Sequence, residues 1–255
     1  MKEKSANITD RLPAAIAILL ILLIWHIVTA SGAVPAYMLP SPIAVVKAFI
    51  SDFGNLMHHA VISVQEAIYG LLLGIGIAFL IATIMDRFSL IEKALYPILV
   101  ISQTIPTIAI APLLVLWMGF GMAPKITLVV ITTFFPIAVG LLDGYKGVDP
   151  DCINLLRSMG AGRVQIFRHV KIPAALPYFF SGLKISASYA VVGAVISEWL
   201  GGFEGLGVYM TRVKKAYAFD RMFAVIILII MISLLLMGVV ELLKRVFMPW
   251  NRKQK

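Results

Sequence analysis

Few side chains in this sequence stand in a pattern that supports covalent or metal chemistry. His58 and His59 are adjacent, so on a helix they point to different faces, and interfacial placement explains them better than metal ligation. The run Gly140–Lys146, GLLDGYK, lacks the G-x-x-x-x-G-K-[ST] spacing that wraps phosphates. Gly119-x-Gly121 has neither a preceding strand nor the later glycine of a dinucleotide fingerprint. H-E-x-x-H and G-x-S-x-G are absent. Cys152 is the one cysteine, which excludes a disulfide within the chain, and no base lies near it in sequence; it reads as a small half-buried hydrophobe. No catalytic residue, no metal ligand and no cofactor bound by this chain is therefore expected. If the protein does energised work, the energy comes from an ion gradient or from a partner.

What remains is non-covalent chemistry, carried by polar residues set into apolar runs. The apolar fraction is 60% and the charged fraction 14%, against about 45–50% and about 25% in soluble domains. A chain of 255 residues cannot bury that excess in one water-soluble core, so a bilayer must take it. Six segments approach the roughly 20 residues that cross a hydrocarbon core of about 30 Å: Leu12–Ala30, Ala60–Met85, Leu95–Met118, Ile126–Leu142, Leu176–Leu200 and Met222–Phe247. The expected fold is all-α, one six-span membrane domain over residues 1–255. Lys2 and Lys4 before the first run, and small residues after it, imitate a secretory signal, but the run is long and further spans follow, so an uncleaved first span is expected. With the N-terminus inside, fifteen basic residues fall on inner segments and six on outer ones. The positive-inside rule then places both termini in the cytoplasm. The net charge of +9 reflects basic loops and not a nucleic-acid surface.

The spans differ in what they carry. After the first, Ser41-Pro42 opens a short amphipathic helix on the membrane surface, with Ser41 as its cap. In the second, Gly70 and Gly74 form a small-xxx-small pattern for close helix approach, and Gln65 and Glu66 near its start are interfacial or line a pathway. The third holds Pro97, Pro106 and Pro112 with Gln103, Thr104 and Thr107 between them, which predicts a kinked, polar-flecked span in the bundle interior. The fifth adds Ser186, Ser188, Tyr189 and, near its end, Glu198. These seven polar residues are the candidate pathway lining. Lys184 snorkels towards the inner face. The Gly201–Arg221 loop is glycine-rich and then basic, with Arg212, Lys214 and Lys215 as candidate contacts for an outer partner.

The longest polar interruption, over residues 143–175, is the expected inner loop. Asp149 is a good N-cap, Pro150 a good first helical residue, and Asp151 adds favourable charge to the first turn. Ile153, Leu155, Leu156 and Met159 follow, with Gly160 as the stop. A second short helix over about Arg163–Val170 leads to Ile172-Pro173, where the chain is expected to turn into the fifth span. The loop is either a membrane-surface element or a docking element for a cytoplasmic partner.

This stretch resembles the inner loop of the permease subunits of bacterial ATP-binding-cassette importers that depend on a binding protein. Their motif is E-A-A, three residues, G, nine residues, I-x-L-P. Here Gly160 is followed by nine residues and then Val170-Lys171-Ile172-Pro173. Asn154-Leu155-Leu156 stands where E-A-A would be, so no acidic contact carries over at Asn154, and the docking surface should be more apolar. Six spans, MLPSP after the first and SEWLGG…GLG after the fifth resemble the nitrate, sulfonate, taurine and thiamine-precursor branch. The resemblance implies a non-enzymatic subunit in a bacterial inner membrane, working with a second permease copy as a homodimer. Two ATPase subunits would carry the ATP and Mg, and an extracytoplasmic binding protein would deliver the solute. It also implies that Asp149, Pro150, Ile153, Asn154, Leu155, Leu156, Arg157, Met159, Gly160, Arg163 and Pro173 form the ATPase-coupling element. SEWLGG points to a thiamine-pyrimidine precursor ahead of a sulfonate. Two other classes stay open from the residues alone: a gradient-driven carrier, and a membrane assembly protein that transports nothing.

Overall fold

A computed structural model describes residues 8–35 and 37–249, whose regular structure is all helical, with no strand among the described residues. In chain order the helices are α1 (Ile8–Ala30), α2 (Pro42–Ser51), α3 (Phe53–Arg87), α4 (Ser89–Ser102), α5 (Thr107–Met118), α6 (Met122–Lys146), α7 (Pro150–Ser158), α8 (Arg163–Ile166), α9 (Ile172–Gly201), α10 (Leu206–Lys215) and α11 (Phe219–Phe247). A π-helical turn, Phe167–Lys171, joins α8 to α9. Five helical lines are long and apolar enough to cross a membrane, and α4 with α5 makes a sixth, broken one.

The core is the trio α3, α6 and α9, with α6 and α9 in the most extensive contact. Its seams are lined by small residues because lipid supplies no hydrophobic drive and close backbone approach must do the work. A methyl group at Gly74 would stand 2.5 Å from Thr133 Oγ1, and one at Gly144 2.5 Å from the Ala175 Cα. The small-xxx-small pair of α3 therefore faces α6. By contrast, α1 buries none of its apolar window, as a lipid-facing helix should. It is held at its end by Trp25, whose indole N–H donates to the Pro40 carbonyl at 3.0 Å and whose ring meets Phe223 at 5.7 Å. Helix α2 forms where Ser41-Pro42 predicts it, with the Ser41 hydroxyl accepting from the Ala44 N–H at 3.2 Å.

Four expectations are corrected. The third span is not one kinked helix: α4 and α5 meet at 102° across Gln103–Pro106. Pro106 offers no N–H and drives Ile105 out of helical geometry. At the break Ser102 Oγ donates to the Leu99 carbonyl at 2.7 Å, and the Ile101 carbonyl accepts both the Thr104 N–H at 2.9 Å and Thr104 Oγ1 at 2.8 Å.

The chain does not turn at Ile172-Pro173 either. Arg163–Gly201 is one helical line of 39 residues. Pro173 cannot donate to the His169 carbonyl, and the ladder widens instead, with the Ile172 N–H reaching Phe167 five residues back.

The Gly201–Arg221 segment is not a loop of turns. It contains α10, which buries Leu206, Tyr209 and Val213 against the bundle and exposes Arg212, Lys214 and Lys215. Cys152, expected half-buried, is exposed on α7.

Candidate functional site

Three polar constellations punctuate the apolar bundle. The first is the hairpin of α7 and α8. Asp149 caps α7 by accepting from the Asp151 N–H at 2.9 Å. The helix ends in a Schellman closure: the Ala161 N–H reaches the Leu156 carbonyl at 2.9 Å and the Gly160 N–H reaches Arg157 at 3.0 Å. Gly160 sits at φ 85°, where a side chain is strained. Gln165 then receives the Gly162 N–H at 2.7 Å and starts α8. Leu155, Met159 and Val164 are left 61%, 74% and 78% exposed, while Ile153 and Leu156 are half-buried. Lys171 holds the hairpin to α3 by donating to both Asp86 oxygens, at 2.6 and 2.8 Å. Phe167 stacks on Tyr145 of α6 at 5.2 Å.

The second is a cavity of about 240 Å³ at the break between α4 and α5, closed by α6 and α9. Its polar lining is Ser102, Gln103, Thr107, Thr132 and Tyr189. Of the seven sequence candidates, Gln103, Thr107 and Tyr189 meet here. Thr104 is exposed beside the break and Ser188 is half-buried outside the lining. Ser186 is elsewhere, fully buried and donating to the Thr133 carbonyl at 2.7 Å, a staple between α9 and α6. Ser102 and Thr132 were not singled out from the sequence. The signal for Thr132 was there, since Thr132-Thr133 interrupts an otherwise apolar span.

The third constellation lies at the other end of α9 and escaped the sequence reading. Glu198 is 1% exposed and is a packed acceptor, neither an interfacial anchor nor a cavity wall. Ser63 Oγ donates to its Oε1 at 2.6 Å and the Gly207 N–H to its Oε2 at 2.6 Å. The Leu206 N–H donates to Ser63 at 2.8 Å, and the Gly205 N–H to His59 Nδ1 at 3.1 Å. Lys125, one of the six basic residues that the charge count places on outer segments, is buried, and its ammonium donates to Glu66 Oε1 at 2.6 Å and to the Glu204 carbonyl at 3.4 Å. Glu66 is likewise buried, not interfacial. A Cβ at Gly205 would land on the Glu198 carboxylate. Three of the glycines of SEWLGG…GLG are thus explained: a Cβ at Gly202, Gly205 or Gly207 would meet Glu198, and the Gly207 N–H donates to its carboxylate, whereas Gly201 makes room for Val115. The sequence signal was a carboxylate directly followed by a glycine-dense turn.

Most of these positions fall within a region matched by known proteins. Residues 70–250 match the family described as the binding-protein-dependent transport system inner membrane component. The chain belongs to this family. It is a permease of the ATP-binding-cassette importer type, a non-enzymatic, multi-pass inner-membrane protein. The permease is 39% identical over 216 residues to a probable ABC transporter permease protein of Haemophilus influenzae, covering 85% of this chain and 88% of that protein. It is 36% identical over 237 residues to the formylaminopyrimidine transport permease protein ThiX of Halalkalibacterium halodurans, covering 92% and 94%. It is 31% identical over 233 residues to a putative aliphatic sulfonates transport permease protein, SsuC, of Bacillus subtilis, covering 91% and 84%. Among solved structures, an inward-facing MetNI methionine ABC transporter chain superposes with a TM-score of 0.60 at 20% identity, covering 76% of the permease and 94% of that chain. That likeness is one of fold. The family match opens at Gly70, within α3, so α1, α2 and the His59, Ser63 and Glu66 positions of α3 lie outside it, and the cavity and hairpin lie inside.

Proposed function

We propose that the permease carries a small, neutral, planar heterocycle of the aminopyrimidine class, and that a separate ATPase drives it through the α7–α8 hairpin. The observation that carries this reading is the unbroken line Arg163–Gly201. It begins at a hairpin with exposed Leu155, Met159 and Val164, passes the cavity at Tyr189 and Gly193, and ends at Glu198. A push on the hairpin is delivered along a rigid rod to the cavity wall. At about 1.5 Å per residue the rod is long enough to cross the bilayer.

The substrate class follows from the cavity. Its lining offers an amide, hydroxyls and one aromatic ring, and no ionised group. A sulfonate or nitrate stripped of water there would have no cation to replace it, at a cost of several kcal/mol. A neutral heterocycle can stack on Tyr189 and exchange hydrogen bonds with Gln103 and Thr107. The similarity to a permease named for formylaminopyrimidine transport supports the same class.

In this reading both termini and the hairpin face the cytoplasm, two copies of the permease share two ATPase subunits that bind ATP and Mg, and a binding protein docks at the opposite face. Arg212, Lys214 and Lys215 are its contacts. Asp149, Pro150, Ile153, Asn154, Leu155, Leu156, Arg157, Met159, Gly160, Arg163 and Pro173 form the coupling surface.

The test is uptake into proteoliposomes holding the permease with its ATPase and binding protein. ATP-dependent aminopyrimidine uptake should occur, resist excess taurine or nitrate, and vanish with Gly160→Pro, because proline cannot adopt φ 85°. Full uptake by that variant sinks the coupling assignment, and uptake by the permease alone on an ion gradient sinks the ATP-driven reading.

A further inference from the structure

Two cavities adjoin along the seam between α3 and the helical line that α9 continues. The first, about 480 Å³, is lined by Thr83, Asp86, Arg87, Arg157, Arg163 and Lys171 among others. Asp86 is taken by Lys171. Arg87, Arg157 and Arg163 make no ion pair among the described residues, which leaves three guanidinium groups around one space. The second, about 330 Å³, is apolar, lined by Gly76, Phe79, Ile172, Leu176 and Phe179 among others. The two meet at one pair of rings: Phe167 lines the first and Tyr145 the second, 5.2 Å apart, and Phe79 and Thr83 are one turn apart on α3. Beneath the junction lie the hydroxyls of Thr83 and Tyr145, both buried.

We infer that this groove holds one phospholipid with an anionic headgroup. Its phosphate would lie among Arg87, Arg157 and Arg163, its glycerol esters at the level of Thr83 and Tyr145, and an acyl chain along Gly76, Phe79 and Phe179. Charge complementarity selects the headgroup, because guanidinium forks match phosphate oxygens and basic pockets between spanning helices at a membrane face take anionic lipids. Depth selects the tail. From Arg87 to Gly76 the helix rises about 16 Å, which matches one leaflet of a hydrocarbon core of about 30 Å. Gly76 leaves the slot open, since a Cβ there meets nothing within 4 Å. The inference rests on membrane placement and does not need the solute; it shares Arg157 and Arg163 with the proposed coupling surface, so its test varies Arg87 and Gly76, which lie outside that surface.

The experiment is native mass spectrometry of the purified permease alone, titrated with phosphatidylglycerol or phosphatidylcholine. Phosphatidylglycerol should be retained in preference. Arg87→Gln should weaken retention about tenfold, the scale of one charge-assisted contact. Gly76→Leu, which sets an apolar side chain into the slot, should weaken it independently of charge. Equal retention of the two lipids, or unchanged retention in both variants, overturns the inference. Displacement of the lipid by millimolar inorganic phosphate alone also overturns it, because the site would then take a free anion. Lipid retention as expected, with no aminopyrimidine uptake by the reconstituted permease, ATPase and binding protein, would count against the transport reading and leave this one standing.

Discussion

Lys125 on α6 and Glu66 on α3 meet at 2.6 Å, with side chains 7% and 1% exposed. Two buried charges compensate each other there, and Glu66 Oε2 finds no further partner. Removing one partner strands the other in a low dielectric, which costs about 3–5 kcal/mol, whereas replacing both with apolar groups is close to neutral. Lys125→Met should therefore lower thermal stability sharply in detergent, and Glu66→Leu with Lys125→Met should restore most of it. If the single variant melts with the wild type, the pair does not hold α3 to α6.

The turn over Glu198 makes a second case. Gly205 has φ 119° and no room for a Cβ against the carboxylate. Gly205→Ala should lift the turn and cost about 2–4 kcal/mol from backbone strain and overpacking together. Hydrogen exchange reads it directly: the Leu206 and Gly207 amides, donors to Ser63 and Glu198, should lose protection while α6 keeps its own. Protection retained at both amides would refute the clamp.

Lys171 and Asp86 tie the hairpin to α3. Asp86→Ala should free it without melting the core. Cys152 is exposed on α7 and is the only cysteine, so a spin label there needs no other substitution. Its mobility should rise in Asp86→Ala and fall back with Asp86→Glu. An unchanged spectrum would mean that the Tyr145–Phe167 stack holds the hairpin without the ion pair.

Tyr217 is the one non-glycine residue with positive φ among the described residues, at 57°, and it closes α10 in a Schellman pattern with 77% of its surface exposed. The left-handed region costs an ordinary residue about 1–2 kcal/mol. Tyr217→Gly should stabilise the protein by about 1 kcal/mol, seen as a higher melting temperature. A loss of stability would show that the contact with Phe219, at 6.3 Å, outweighs the strain.

What the sequence by itself determined is what acts over a few residues. Composition and run length decide a helical membrane protein. Ser41-Pro42, Asp149-Pro150 and Gly160 set helix ends because a cap, a missing N–H and a left-handed turn need only their neighbours. The motif spacing around Gly160 identified the family for the same reason. The tertiary structure decided the partners. Lys125 finds Glu66 across 59 positions and Ser63 finds Glu198 across 135, and nothing local marks either pair. Pro106 marked an interruption, but the 102° angle depends on where α5 lies on α6 and α9. Ser186 and Tyr189 are three residues apart on one helix, yet one is a buried staple and the other a cavity wall. Which face of α9 meets α6 separates them, and packing of the glycine-lined seams sets that face.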